Sequence, residues 1–285
     1  MNNELTQTLE QRGRFEATTS ERFNNITTSD VMSTLKTLEW EPYSMKAVKS
    51  RNMERRPYAK HLVMLKRPNE NLTSGSISPR INLRNANDGT ASFEIFAGFY
   101  RMICSNGLMV GFHYATSKIR HSLALDKLQG AVEEAVKTTE NQFTRATSQI
   151  ESWQNIRLTE NQRLNFSEYA VNLRWGGLLI KNNTTYEVQT EMRERAKSLL
   201  QIRRSEDNSP SLWETFNVIQ ENVMNGGFLI NSPRMFRGNI QMRSVRSRRL
   251  GNIAESVKIN RLLWDGAEKI ANGEVLITDP FETRN

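Results

Sequence analysis

The chain has 285 residues, 37% hydrophobic and 25% charged, the composition of one large globular domain or two modest ones rather than of a fibre, a peptide or a disordered tail. Its 39 Lys and Arg against 31 Asp and Glu leave a formal charge of +8, so its field favours anionic partners, nucleic acid first among them. One Cys excludes a disulfide scaffold and a Cys-based zinc site and fits a reducing compartment, and no apolar stretch is long enough to cross a bilayer, so a cytoplasmic chain without a membrane partner is expected.

Residues 1–28 are polar, rich in Thr, Asn and Glu, and read as an arm or a peripheral helix. A short helix follows, with Val31, Leu35 and Leu38 on one face and Pro42 closing the pattern. From Leu62 to Tyr114 the chain turns to short apolar or alternating runs broken by Pro, Gly, Asn and Ser, which read as four strands of an antiparallel meander. Asn87-Asp88-Gly89 is the sharpest hairpin signal, because Gly tolerates positive φ and Asn or Asp bonds the turn backbone. A long helix is predicted next, its seam formed by Leu125, Leu128, Val132, Ala135, Thr139, Phe143, Ala146, Ile150 and Trp153. Its other faces, including Glu140, read as solvated.

Thr159 with Gln162 reads as a capping box for a second helix that Gly176-Gly177 ends. The remainder is mainly helical. TEMRERAKSLLQIRR, LWETFNVIQENVM stopped by Gly226-Gly227, and IAESVKINRLLWDGAEKIA are amphipathic helices, and Arg234 to Arg249 reads as a surface loop. The fold class is therefore α+β: a meander, a long amphipathic helix and a helical C-terminal part. Its expected divisions are an arm over 1–28, an α+β core over 29–177 and a C-terminal part over 178–285.

Catalytic signatures are missing. The sequence has no Gly-rich phosphate loop, no HExxH and no GxSxG, and its three His include no pair at helical metal spacing. Neither a cofactor nor a metal is expected. Cys104 with His113 forms a thiol-nucleophile pair on paper, but a lone Cys in an apolar strand reads first as a packed small hydrophobe.

Charge, by contrast, is clustered. Arg234, Arg237, Arg243, Arg246, Arg248 and Arg249 share a stretch without any acid, where Arg forks suit phosphate oxygens and Phe236 offers a base a stacking surface. Between Lys46 and Arg67 eight cations face one acid, Glu54, and Lys49, Arg51, Arg55 and Arg56 are the assisting contacts.

Asn87-Asp88-Gly89, Phe99-Tyr100-Arg101 and Cys104-Ser105-Asn106-Gly107-Leu108 resemble the hallmark of the phage/plasmid-like proteins called domain-of-unknown-function family 932. Trp213, Asn217, Gln220 and Glu221 resemble that family's second signature, WxxxNxxQE. The resemblance implies DNA metabolism of mobile elements in a bacterial host cell and supplies no catalytic residue. The motif reads chiefly as turn chemistry, and Arg101 as either a buried organiser or a phosphate contact.

A meander followed by a long helix is also similar, at the level of fold, to Rad52-like single-strand annealing proteins, which implies a homo-oligomer holding single strands in a basic groove. The resulting expectation is a protein that binds single-stranded DNA in recombination or replication, without hydrolysis. The alternative is an interaction factor for a host or phage protein, such as an anti-defence inhibitor or a transcription cofactor.

Overall fold

A computed structural model describes residues 8–11, 15, 19, 21, 23, 26–48, 50–68, 77–101, 107–109, 116–182, 185–236 and 239–276. The chain divides into two compact units, Met1–Thr147 and Ser148–Asn285. The expected α+β class is observed: an antiparallel sheet precedes long helices and a mainly helical C-terminal part.

In the first unit, helix α1 (Thr28–Thr37) begins at Thr27, whose hydroxyl accepts from the Asp30 N–H. Strands β1 (Glu41–Ala47), β2 (His61–Lys66), β3 (Ile77–Ala86), β4 (Ala91–Arg101) and β5 (Gly107–Met109) follow in meander order, and β6 (Thr116–Ile119) also pairs with β4. The expected meander is thus present, extended at its start by β1. Pro42 does not close the helix, which ends at Thr37, but lies inside β1 beside a register shift. An edge strand tolerates a residue that has no N–H to donate. Asn87 to Thr90 form the predicted turn, with Gly89 at φ 75°. Cys104, His113 and most of the expected fourth strand fall outside the described residues.

Helix α2 (Leu128–Asn155) buries Val132, Ala135, Thr139, Phe143, Ala146, Ile150 and Trp153, the predicted seam. Leu125 departs from it: it sits in a 3₁₀ turn before the helix and is 60% exposed. Glu140 is not merely solvated, since it accepts from Trp40 Nε1 at 3.1 Å and from Arg67 Nη2 at 2.6 Å.

The second unit contains α3 (Glu160–Asn182), α4 (Thr185–Leu199), α5 (Leu212–Asn225), strands β7 (Leu229–Phe236) and β8 (Asn239–Arg246), and α6 (Ile253–Ala271). The capping box is present, with Thr159 N–H donating to Gln162 Oε1 at 2.9 Å and the Gln162 N–H to Thr159 Oγ1 at 3.3 Å. Gly176-Gly177 does not end α3, which continues to Asn182. A Gly pair costs a helix only about 2 kcal/mol, and it becomes a stop where its φ turns positive, as at Gly226 (63°) and Gly227 (93°). Trp153, Trp213, Phe216 and Trp264 form the aromatic core, with Trp153 and Trp264 centroids 4.4 Å apart.

The largest correction concerns Arg234 to Arg249. It is not a loop but mostly a two-stranded antiparallel ribbon, β7–β8, running in register from Leu229↔Arg246 to Phe236↔Asn239. Both strands of a lone ribbon are edges, so Pro233 is admissible and neither face needs the continuous apolar alternation by which strands are recognised in sequence.

Candidate nucleic-acid interface

The ribbon grows out of the end of α5. Gly226 and Gly227, both at positive φ, turn the chain from the helix into β7. A Cβ on Gly226 would stand 2.7 Å from the carbonyl oxygens of Ser247 and Arg248, so only glycine allows the strand's return end to lie this close. Backbone bonds close the elbow: Gly227 N–H to Ser247 O at 2.9 Å, Ser247 N–H to Phe228 O at 2.8 Å and Leu250 N–H to Met224 O at 2.8 Å.

A helix end leaves carbonyls without helical donors, and three arginines converge there. Arg174 donates to Val223 O and Arg248 O, Arg203 to Gly226 O, and Arg246 Nη1 to Gly227 O at 2.9 Å. Arg203 Nε also donates to Asn222 Oδ1 at 2.7 Å. Arg174 lies 4.4 Å over the Trp175 ring. Burial, with Arg195 nearby and Glu255 opposing, pushes its guanidinium down to about 10, so it remains charged at neutral pH.

Beyond this base, the register pairs Ser232 with Arg243 and Arg234 with Gln241. Arg246 falls on the face opposite Arg243, three residues after it. Arg243, Arg246, Arg248 and Arg249 are exposed. Of these, Arg246 has a structural bond at the elbow, leaving Arg243, Arg248 and Arg249 as the side chains most directly offered to a ligand. Arg234 belongs to β7 by register, and Arg237 lies outside the described residues.

The earlier basic segment belongs to the first unit. Arg51 and Arg56 are exposed, Arg56 Nε donates to Ser50 O at 3.1 Å, and Lys49 lies outside the described residues. Arg55 is committed to Asp88 at 2.7 Å. Asp88 also accepts from the Thr90 hydroxyl at 2.5 Å and N–H at 3.0 Å. Burial alone raises its carboxyl pKa, but the Thr90 bonds and Arg55 outweigh it and hold the pKa below the ordinary value. Arg101 closes β4 opposite Ile77.

The sequence singles out Asn217, Gln220 and Glu221 only through the resemblance, and neither Asn222 nor the bonds these side chains make inside the second unit are read from it. Helix α5 is buried almost all round, not on one side. Asn217 Nδ2 donates to Trp213 O at 2.7 Å, Gln220 Nε2 to Asn260 Oδ1 at 2.9 Å, and Asn222 Nδ2 to Leu199 O and Gln201 O at 2.8 and 2.9 Å. Glu221 pairs with Arg204 at 3.1 Å. Asn, Gln and Glu between the apolar residues of this helix are the signal by which its buried polar side could have been found.

In the first unit His61 is fully buried. Its Nδ1–H donates to Ala59 O at 2.9 Å, so Nε2 accepts from the Thr28 hydroxyl at 2.6 Å, and Asn85 Nδ2 donates to that hydroxyl at 3.1 Å. Burial pushes the His61 pKa down against the pull of the Ala59 carbonyl. This imidazole is a structural member of the core. Among the described residues no group of three or more His, Cys, Asp or Glu is arranged to hold a metal ion, and no helix is long and apolar enough to cross a membrane.

Two relatives from Escherichia coli (strain K12), UPF0380 protein YfjQ and UPF0380 protein YafZ, are each 28% identical over 251 residues, covering 88% of this chain and 83% of theirs. No solved structure matches the chain, so the expected likeness to Rad52-like annealing proteins finds no support from that side. The family model described as Domain of unknown function (DUF932) matches residues 17–264, nearly the whole of both units, and the chain belongs to that family.

Proposed function

We propose that this chain binds nucleic acid through the β7–β8 ribbon and its return end, with single-stranded DNA the preferred ligand, in recombination or replication of mobile elements and without hydrolytic chemistry. The observation that carries the reading is the exposure of Arg243, Arg248 and Arg249 on an acid-free stretch. Arginine forks match phosphate oxygens, and a two-stranded β-ribbon is an element by which proteins read nucleic acid. The elbow arginines support it indirectly, because a ribbon clamped at its base holds its exposed cations in a fixed arrangement.

Fluorescence anisotropy with single- and double-stranded DNA across a salt series tests the proposal. If these three arginines each neutralise one phosphate, log K falls with log salt at a slope of about −2 on single strands. The triple variant Arg243→Glu/Arg248→Glu/Arg249→Glu abolishes binding at low salt. A flat salt response, or undiminished binding by the folded triple variant, overturns the proposal.

A further inference from the structure

Beside β6 the first unit has a cleft of about 530 Å³, lined by Ser117, Lys118, Ile119 and Arg120, by Ser122 and Leu123 of the following turn and, on α2, by Ala131, Glu134 and Ala135. Four of these residues are consecutive. Neighbours in a strand face opposite sides of the sheet, so a cleft above one face would collect only every second residue. Ser117, Lys118 and Ile119 are successive residues of β6, so the cleft reaches this strand's edge and then continues over the turn at Ser122 and Leu123. On its other edge β6 pairs with β4, from Phe96↔Thr116 to Phe93↔Ile119, and among the described residues it pairs with no other strand.

The space suits an added strand. With a rise of ~3.4 Å, a strand spacing of ~4.8 Å and a layer depth of ~10 Å, an extended residue occupies roughly 160 Å³, so the cleft admits about three. Buried Ile119 and Ala135 supply an apolar floor, while Lys118 and Arg120 stand exposed on the strand side. Helix α2 contributes one carboxylate, Glu134; Lys118 also lies 4.0 Å from buried Glu94, which Arg84 already holds at 2.5 Å, so the exposed cations lining the opening outnumber its exposed acids.

We propose that this edge takes up an extended acidic segment of a partner protein by strand addition: main-chain bonds to β6, apolar residues on the floor, and carboxylates to Lys118 and Arg120. The competing account is that Lys118 and Arg120 only guard an edge against pairing. That account gives the cleft no ligand.

The test uses the full chain and a fluorescein-labelled hexapeptide, Glu-Val-Asp-Val-Glu-Val, in anisotropy titrations. Saturable binding is expected, weakened at least tenfold in Lys118→Gln/Arg120→Gln and unchanged in Arg248→Glu/Arg249→Glu, which separates this edge from the ribbon. A peptide N-methylated at alternate amides loses at least tenfold in affinity, and amide exchange at residues 117–120 slows when the unmodified peptide binds. Both cations are exposed, and circular dichroism checks that the double variant is folded. The proposal is overturned if the peptide does not bind at about 1 mM, the weak end of specific affinity. It is equally overturned if the folded double variant binds as well, or if light scattering shows a dimer that this variant dissolves, which would assign the edge to a second copy.

Discussion

Replacing Gly226 by alanine should uncouple the ribbon from its helix, with a cost that can be built up from the geometry. Its φ of 63° and ψ of −142° lie where residues with a Cβ are strained, by about 1–3 kcal/mol. The added Cβ would also stand 2.7 Å from two carbonyl oxygens and 2.9 Å from the Arg248 carbonyl carbon, all backbone atoms that cannot swing aside. Moving that strand stretches the Gly227–Ser247 and Leu250–Met224 bonds, each worth about 1 kcal/mol. The total is roughly 3–5 kcal/mol. Gly273→Ala isolates the first contribution, because Gly273 has φ 78° but open space where its Cβ would stand. Urea unfolding followed by tryptophan fluorescence suits the comparison, since Trp153, Trp213 and Trp264 all lie in this unit's core. A Gly226→Ala loss no larger than that of Gly273→Ala would refute the close-approach argument.

Glycines inside helices give a prediction of opposite signs. Gly130→Ala, with nothing within 4 Å of its added Cβ, should stabilise α2 by about 0.5–1 kcal/mol, whereas Gly266→Ala should destabilise, because its Cβ would stand 2.7 Å from the Tyr169 ring; thermal melts of both variants decide it. For His61 the folded pKa lies below the ordinary 6.5, so above that value both folded and unfolded chains hold it neutral, and below it the unfolded chain alone takes the proton. Stability of the first unit should therefore fall as pH drops through about 6.5, a fall that urea titrations find reduced in a folded His61→Asn variant. Asp88 works through a lowered carboxyl pKa, so its contribution is present above the ordinary carboxylate value and lost as acid protonates it; Asp88→Asn should remove that acid dependence while costing about 1 kcal/mol at neutral pH.

What sequence could and could not reveal follows from where each signal originates. The α2 seam was legible because eight of its nine positions, stepping by three and four residues, leave little alternative, only Leu125 falling before the helix, and the Asn87-Asp88-Gly89 turn because its chemistry is local. Gly176-Gly177 and Gly226-Gly227 are the same dipeptide, yet only the second pair turns to positive φ, a difference imposed by tertiary packing. The ribbon was hidden because a two-stranded ribbon, both of whose strands are edges, need not write a period of two into the chain. Arg174 and Arg203 carried no signal at all: they lie far from the ribbon in sequence and meet it only through backbone carbonyls, which every residue possesses.

The positive charge thus divides by function within the fold. A buried or bonded guanidinium neutralises protein groups: Arg55 serves Asp88, Arg67 serves Glu140, Arg204 serves Glu221, and Arg174, Arg203 and Arg246 serve carbonyls at the elbow. Net charge counts these cations equally with Arg243, Arg248 and Arg249, although a phosphate meeting the bonded ones would have to displace existing partners. The +8 of the whole chain therefore overstates the local charge available to a ligand in some places and understates it at the ribbon, where sixteen successive residues carry no acid. A ligand's affinity should follow the local value. The bonded arginines affect that affinity in a different way, by fixing the ribbon's base so that fewer side-chain and backbone freedoms are lost when a strand is bound.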